Sequence, residues 1–229
     1  MPEPVLLITG ASSGIGAATA RLAAAAGYRL ALTARRAEPL AALAEDLGGP
    51  SRAIPITVDV TDWTDQQRMV ALTLEAFGSI DAVFANAGMN GMPGWTTDSV
   101  DHWRAMVLTN VYGPAITIRA ALDALVASRG HVVLTSSRAA RYPIAGSLYG
   151  ATKSAVTAMG EALRLELHGH GVRVTVVHPG WVDTPMFPGE PPADILTAED
   201  IAHAVLYALQ QPQRVSVNEL LVRPTVQPI

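Results

Sequence analysis

The sequence predicts an α/β protein: a doubly wound parallel sheet of about seven strands with helices on both faces, in a single domain over 1–229. Short β-branched runs alternate with longer amphipathic runs from end to end, which is the pattern of a parallel sheet covered on two sides. The length of 229 residues suits one such domain and is enough to bury roughly 70% of the unfolded surface. A composition of 49% hydrophobic and 16% charged residues, with mean hydropathy +0.26, belongs to a packed globule and excludes a disordered chain.

The first strand is Val5 to Thr9, an apolar run too short for a helix, and it leads through a glycine turn into the Ala-rich helical segment 14–26. Arg29 to Ala34 is the next apolar run, followed by amphipathic residues at 37–47. Ala53 to Val58 and then a helix at 64–77 repeat the alternation. Ala82 to Ala85 precedes a long helical stretch at 98–121, whose apolar stripe Trp103, Met106, Val107 also contains Asn110. His131 to Ser136 and a helix at 148–168 follow, then Val172 to Val177, a helix at 198–210, and Glu219 to Val222. Between the last two helices, Asp183 to Pro192 holds four prolines and reads as a loop. It leaves the carboxyl end of a strand, where open α/β sheets place their ligand crevice, so a short substrate loop around 181–197 is expected to act as a lid.

Several functions are excluded by composition. Without cysteine there is no disulfide, thiolate zinc site, iron–sulfur cluster or cysteine nucleophile. No apolar run approaches the length of about eighteen residues that a membrane span needs, and Met1-Pro2-Glu3-Pro4 lacks a signal peptide's basic region. A soluble, cytoplasmic protein is expected, with no membrane partner. The net charge of -4 and pI of about 5.8 lack the basic excess that nucleic acid requires, so no nucleic-acid partner is expected.

The turn after the first strand reads Gly10-Ala-Ser12-Ser13-Gly14-Ile15-Gly16. Glycines there let the backbone approach a pyrophosphate, whose charge is held by free N–H groups at the start of the helix. The Walker Gly-Lys-Ser/Thr ending is absent, which favours a dinucleotide over an NTPase loop; a bare strand-to-helix turn is the alternative. At the end of the second strand an acid would accept from the ribose of NAD, whereas this chain has Arg35 and Arg36, suited to the 2′-phosphate of NADP. NADP (NADPH) is therefore the expected cofactor. Asp59, after the third strand, is a candidate acceptor for the adenine amino group, or a turn residue.

Tyr149 and Lys153 lie four residues apart on one helical face. An ammonium beside a phenol, together with an oxidised nicotinamide, favours phenolate and lets the tyrosine exchange a proton near neutral pH. Carbonyl reduction needs that exchange, because hydride reaches carbon while a proton reaches oxygen. The alternative is an ordinary cation–π pair. Ser136 and Ser137 end the fifth strand, where a hydroxyl can hold a substrate oxygen or simply form a turn. Asn110 either holds an ordered water linked to Lys153 or bends its helix before Gly113-Pro114.

Taken together, Thr9-Gly10-Ala-Ser-Ser-Gly14-Ile-Gly16, Asn86-Ala87-Gly88, Ser136-Ser137, Tyr149-x-x-x-Lys153 and Pro179-Gly180 resemble the motifs of the short-chain dehydrogenase/reductase family, in its short single-domain form with a Rossmann-type sheet. The resemblance spans essentially the whole chain. It implies the catalytic set Asn110, Ser137, Tyr149 and Lys153, with Lys153 also bonding the nicotinamide ribose and Asn110 closing a proton relay. It takes Ser137 rather than Ser136, on the assumption of a loop one residue shorter than usual. Cofactor contacts are implied for Gly10, Ser12, Ser13, Gly14, Ile15 and Gly16 in the turn, and for Arg35, Arg36, Asp59 and Val60 at the next two strand ends. Asn86, Ala87, Gly88, Tyr149 and Lys153 complete the middle of the site, and Pro179, Gly180, Val182 and Thr184 would wrap the nicotinamide. Two departures stand out: Ala85 occupies a position that is often Asn in the family, and Ser13 one that is often basic in NADP-preferring members.

The implied activity is hydride transfer between NADP(H) and a small carbonyl or alcohol substrate, with Tyr149 as general acid/base. Besides Ser137 and Tyr149, Met89, Arg138, Ala139, Trp181 and Met186 are the expected substrate wall, suited to a hydrophobic compound; Arg138 either faces an acidic group on it or simply points to water. A non-catalytic NADP-binding sensor or scaffold is the alternative function, since fold does not fix function. A nucleoside-sugar epimerase using the same Tyr and Lys would need a larger carboxyl-terminal substrate domain. Small residues on the Tyr149 helix and the resemblance together imply a homodimer or homotetramer.

Overall fold

In the computed structural model, which describes residues 3–91, 94–142, 145–187, 189–190 and 192–227, all strands belong to one parallel sheet. The strands are β1 (Val5–Thr9), β2 (Arg29–Ala34), β3 (Ala53–Thr57), β4 (Ala82–Ala85), β5 (His131–Thr135), β6 (Arg173–Pro179) and β7 (Glu219–Val222). The helices are α1 (Gly14–Ala25), α2 (Ala37–Asp46), α3 (Trp63–Phe77), α4 (Val100–Val107), α5 (Gly113–Ser128), α6 (Tyr149–Leu167) and α7 (Ala198–Leu209). Strand order is β3-β2-β1-β4-β5-β6-β7, so the order reverses between β1 and β4. A crevice opens at that reversal beyond the carboxyl ends of the strands, because the connections on either side leave towards opposite faces.

Alternation along β1 assigns the two faces. Leu6 and Ile8 pack with Ala20, Ala23, Leu40 and Val205 under α1, α2 and α7. Leu7 points the other way and joins Val83, Met69, Ile118 and Val156 under α3, α5 and α6. The strands are therefore apolar on both sides, as burial between two helical layers requires.

Element types match the sequence expectation, while several ends differ. The strand expected at 172–177 runs instead from Arg173 to Pro179, because His178 and Pro179 pair with Leu221 and Val222 of β7. β3 stops at Thr57 and β5 at Thr135, one residue short of expectation. The single helix expected over 98–121 is α4, a π turn at Leu108–Tyr112, and α5, which continues to Ser128 and ends where Arg129 turns left-handed at φ 53°. Pro188 and Pro191 of the expected substrate loop lie outside the described residues. Among the described residues no helix is long and apolar enough to cross a membrane.

Candidate active site

The crevice is a cavity of about 600 Å³, within the range of cofactor and ligand sites. One end is built by the turn between β1 and α1. Gly10 and Gly14 take positive φ of 69° and 52°, a conformation that costs glycine nothing. The side chain of Ser13, at the N-cap of α1, makes no bond to the helix, so the first N–H groups of α1 have no side-chain cap. Ser12, Ser13, Gly14 and Ile15 all border the cavity. Gly16 does not; a Cβ there would collide with the Gly10 carbonyl and lie 2.9 Å from Asn86 Nδ2, so this glycine serves helix packing.

Arg35 and Arg36 also border this end. Arg36 reaches back to the turn and donates to Ser12 Oγ at 3.2 Å and Ser13 Oγ at 3.3 Å, which puts its charge beside the uncapped helix start. Asp59 and Val60 line the next stretch of wall. Asp59 accepts through Oδ1 from the Thr61 N–H and hydroxyl, a turn role that leaves Oδ2 outside those bonds.

The middle of the crevice is fixed by Asn86, whose Nδ2 donates to the Thr9 carbonyl and whose Oδ1 accepts from the Thr135 hydroxyl. One amide thus ties the ends of β1, β4 and β5 together, with Ala87 and Gly88 continuing along the wall. A Cβ on Gly88 would lie 3.3 Å from Asn110 Oδ1 and 3.6 Å from Lys153 Nζ, so glycine there lets the chain pass tightly between them.

At the other end, Ser137, Tyr149 and Lys153 share the wall. The Ser137 hydroxyl accepts from the Ala139 N–H at 3.1 Å and faces the Tyr149 phenol closely enough to lower its pKa. Lys153 Nζ lies 5.7 Å from the centre of the Tyr149 ring and donates to the Thr135 carbonyl at 2.8 Å. Burial pushes the ammonium down to about 8. Burial also pushes the Tyr149 phenol above its ordinary value, with the Ser137 hydroxyl acting in the opposite direction. In the protein alone, desolvation of the phenolate is the larger effect on this phenol.

Asn110 lies in the π turn and is 1% exposed. It exchanges two bonds with the Met89 backbone, at 2.8 and 2.9 Å, and donates to the Thr152 hydroxyl at 3.2 Å. The wide turn and the buried amide occur together, and the amide clamps the segment after β4 against α6. Ser136 points away from Ser137 and bonds the Lys153 carbonyl at 2.9 Å. Behind the site, the fully buried His178 holds Nδ1 3.4 Å from the Ser137 carbonyl, and burial lowers its pKa.

Pro179, Gly180, Val182 and Thr184 border the cavity, as do Trp181 and Met186. Met89, Arg138 and Ala139, expected in the substrate wall, lie outside it. The turn after Ser137 buries Ala139 beneath Gly150 and stacks the Arg138 guanidinium on Tyr142, 5.4 Å from its centre. Asn90, Thr109 and Phe187 border the cavity without having been picked out in the sequence. Thr109 had a usable signal in its neighbour Asn110; Asn90 and Phe187 had none, because long-range loop packing brings them in.

A family model described as short chain dehydrogenase matches residues 4–194, and the chain belongs to that family. It is an oxidoreductase by that membership. An uncharacterized oxidoreductase of Listeria monocytogenes is 37% identical, with 98% of this chain and 97% of the relative covered. An alcohol dehydrogenase from the archaeon Thermococcus sibiricus, complexed with 5-hydroxy-NADP, superposes with TM-score 0.91 at 33% identity, covering 99% of this chain and 98% of the other. Serine dehydrogenase from Escherichia coli superposes with TM-score 0.89 at 33% identity, covering 98% of this chain and all of the other.

Proposed function

We propose that the protein is an NADP(H)-dependent oxidoreductase that interconverts a carbonyl compound and its alcohol, with Tyr149 as general acid/base. The observation that carries this reading is the convergence of the Ser137 hydroxyl, the Tyr149 phenol and the Lys153 ammonium, whose Nζ is 5.7 Å from the Tyr149 ring, on a cavity wall shared with a dinucleotide-type turn.

The residues present fit the cofactor. The uncapped start of α1 and the Gly10 to Ile15 turn suit a pyrophosphate. Arg36, anchored on Ser12 and Ser13, and the adjacent Arg35 suit a 2′-phosphate, and no acid stands between Arg29 and Arg36 to prefer a bare ribose hydroxyl. The NADP-type ligand of the Thermococcus neighbour supports the same preference. When bound, the nicotinamide supplies or accepts the hydride.

Every other role falls to this chain. In the reductive direction the Ser137 and Tyr149 hydroxyls bond the carbonyl oxygen and orient it. Tyr149 passes its proton to that oxygen, and the Lys153 ammonium stabilises the phenolate left behind. Asn110 keeps α6 and the segment after β4 in register around the reacting groups. Val182, Thr184 and Met186 cover the crevice and reduce access of water.

The test compares wild type with Tyr149→Phe by NADPH oxidation against a panel of aldehydes, ketones and quinones. The variant keeps the ring and loses the acid, so turnover should fall by about 10² to 10⁴ while NADPH affinity changes little. Near-normal turnover in Tyr149→Phe would remove the proton-donor assignment.

A further inference from the structure

Three chain segments meet around the reacting end of the crevice. The Gly94 N–H donates to the Gly146 carbonyl at 2.8 Å, which joins the segment after β4 to the segment before α6. Asn90 Nδ2 donates to the Met186 carbonyl at 3.3 Å, which joins the first of these to the loop after β6. A Cβ on Gly91 would lie 3.0 Å from Tyr149 Cβ, so this junction sits against the proton donor.

None of the three segments carries a positive charge. Residues 89–97 and 142–148 contain no ionisable side chain except the Tyr142 phenol, and this holds for Met92, Pro93, Pro143 and Ile144, which lie outside the described residues. Over 181–197 the ionisable residues are Asp183, Glu190 and Asp194, all acids. The side chains that border this end beside Ser137 and Tyr149 are Asn90, Trp181, Met186 and Phe187.

The nearby arginines and histidines lie off the cavity. Arg138 and Arg223 flank the Tyr142 ring at 5.4 and 5.7 Å and do not border the cavity. Arg141 is ion-paired with Glu219. His178 is fully buried behind Ser137, and His102 is bonded to Asp98 at 2.7 Å. Lys153 donates to the Thr135 carbonyl, while Arg35 and Arg36 lie with the glycine turn at the opposite end. Among the described residues Lys153, beside the reacting hydroxyls and bonded to the Thr135 carbonyl, is the one cation bordering this end, so a carboxylate or phosphate on the rest of the substrate would leave water against an uncharged wall, which disfavours binding.

We infer that the substrate of this site is an uncharged, predominantly apolar carbonyl compound or its alcohol, and that hydroxy acids, amino acids and acyl phosphates are rejected. The inference rests on the oxidoreductase reading above and adds the charge and polarity of the substrate. It also separates this chain from any transfer of the amino-acid substrate named for the Escherichia coli neighbour. Ser137 and Tyr149 supply the hydroxyls for one oxygen, and the thioether and aromatic faces of Met186, Trp181 and Phe187 cover the remainder.

Matched pairs that differ only in charge test it: methyl 4-formylbenzoate against 4-formylbenzoate, and ethyl acetoacetate against acetoacetate, each with NADPH and the intact enzyme. The expected result is kcat/KM at least about 30-fold higher for the ester in each pair. Met186→Arg should shrink that ratio by about tenfold by supplying the missing cation. Because the ratio is read within one preparation, partial misfolding of the variant does not alter it. Turnover of the acids equal to or above the esters would overturn the charge inference and leave the oxidoreductase reading standing. Absence of turnover with every member of both pairs and the wider carbonyl panel would overturn both.

Discussion

The Ser136 hydroxyl donates to the Lys153 carbonyl at 2.9 Å, while the adjacent Ser137 faces the Tyr149 phenol. Ser137 has extended backbone, with φ -165° and ψ 157°, so neighbouring side chains leave the chain in opposite directions. Ser136 is thus spent on the backbone of α6, also meeting the Thr157 hydroxyl at 2.9 Å. Ser137→Ala should lower turnover by about 10²-fold with little change in melting, by loss of one donor to the substrate oxygen. Ser136→Ala should do the reverse, costing about 1–2 kcal/mol of stability with a smaller change in turnover. Kinetics and denaturant unfolding of the two variants check the division.

Arg36 is held by two serine hydroxyls of the glycine turn, at 3.2 and 3.3 Å. Removing it should weaken NADPH by about tenfold or more and leave NADH nearly unchanged, because only NADPH presents a 2′-phosphate. Arg35→Ala should act in the same direction. Titration of both cofactors against both variants measures the difference, and an equal loss for NADH would sink the NADP preference.

Lys153 has its ammonium pushed down to about 8 by burial. In the free enzyme the cation is present below that value and lost above it. The profile of kcat/KM for reduction, which reports the free enzyme's groups, should therefore fall as pH rises through about 8. A flat profile to pH 9.5 would separate Lys153 from the reaction.

His131 is buried with Nε2 2.7 Å from the Thr175 hydroxyl, and burial lowers its pKa to about 3. The unfolded chain takes up that proton near 6.5, so stability from the neutral ring is complete above about pH 6.5 and is lost as pH falls towards 3. The slope from this group is about 1.4 kcal/mol per pH unit within that window. His131→Gln should flatten the acid limb of the stability curve, as read by urea unfolding between pH 4 and 7.

Val100, Val107, Leu108 and Tyr112 form an exposed apolar stripe along α4 and the π turn, with Val100 74% and Tyr112 43% exposed. A second copy of the chain is the expected cover for it. Sedimentation at micromolar concentration should give a mass at a multiple of 24.0 kDa, and Val107→Glu should shift it towards one chain.

Periodicity and turn chemistry in the sequence were enough to determine the layered parallel sheet, the strand-turn-helix at Gly10 to Gly16, and the Tyr149 and Lys153 pair. Each of these is local: alternation sets a strand's faces, glycine sets the turn, and a separation of four residues sets one helical face. The direction of Arg138 was not legible, because the turn after Ser137 and the Tyr142 ring decide it together. Nor was the reach of β6 to Pro179, which depends on pairing with β7 some forty residues later. Only the tertiary structure decided which serine faces the phenol, that burial raises the Tyr149 pKa in the protein alone, and that among the described residues no arginine or histidine borders the substrate end. All three depend on which groups are withdrawn from water together, a property that residue spacing along a single chain does not encode.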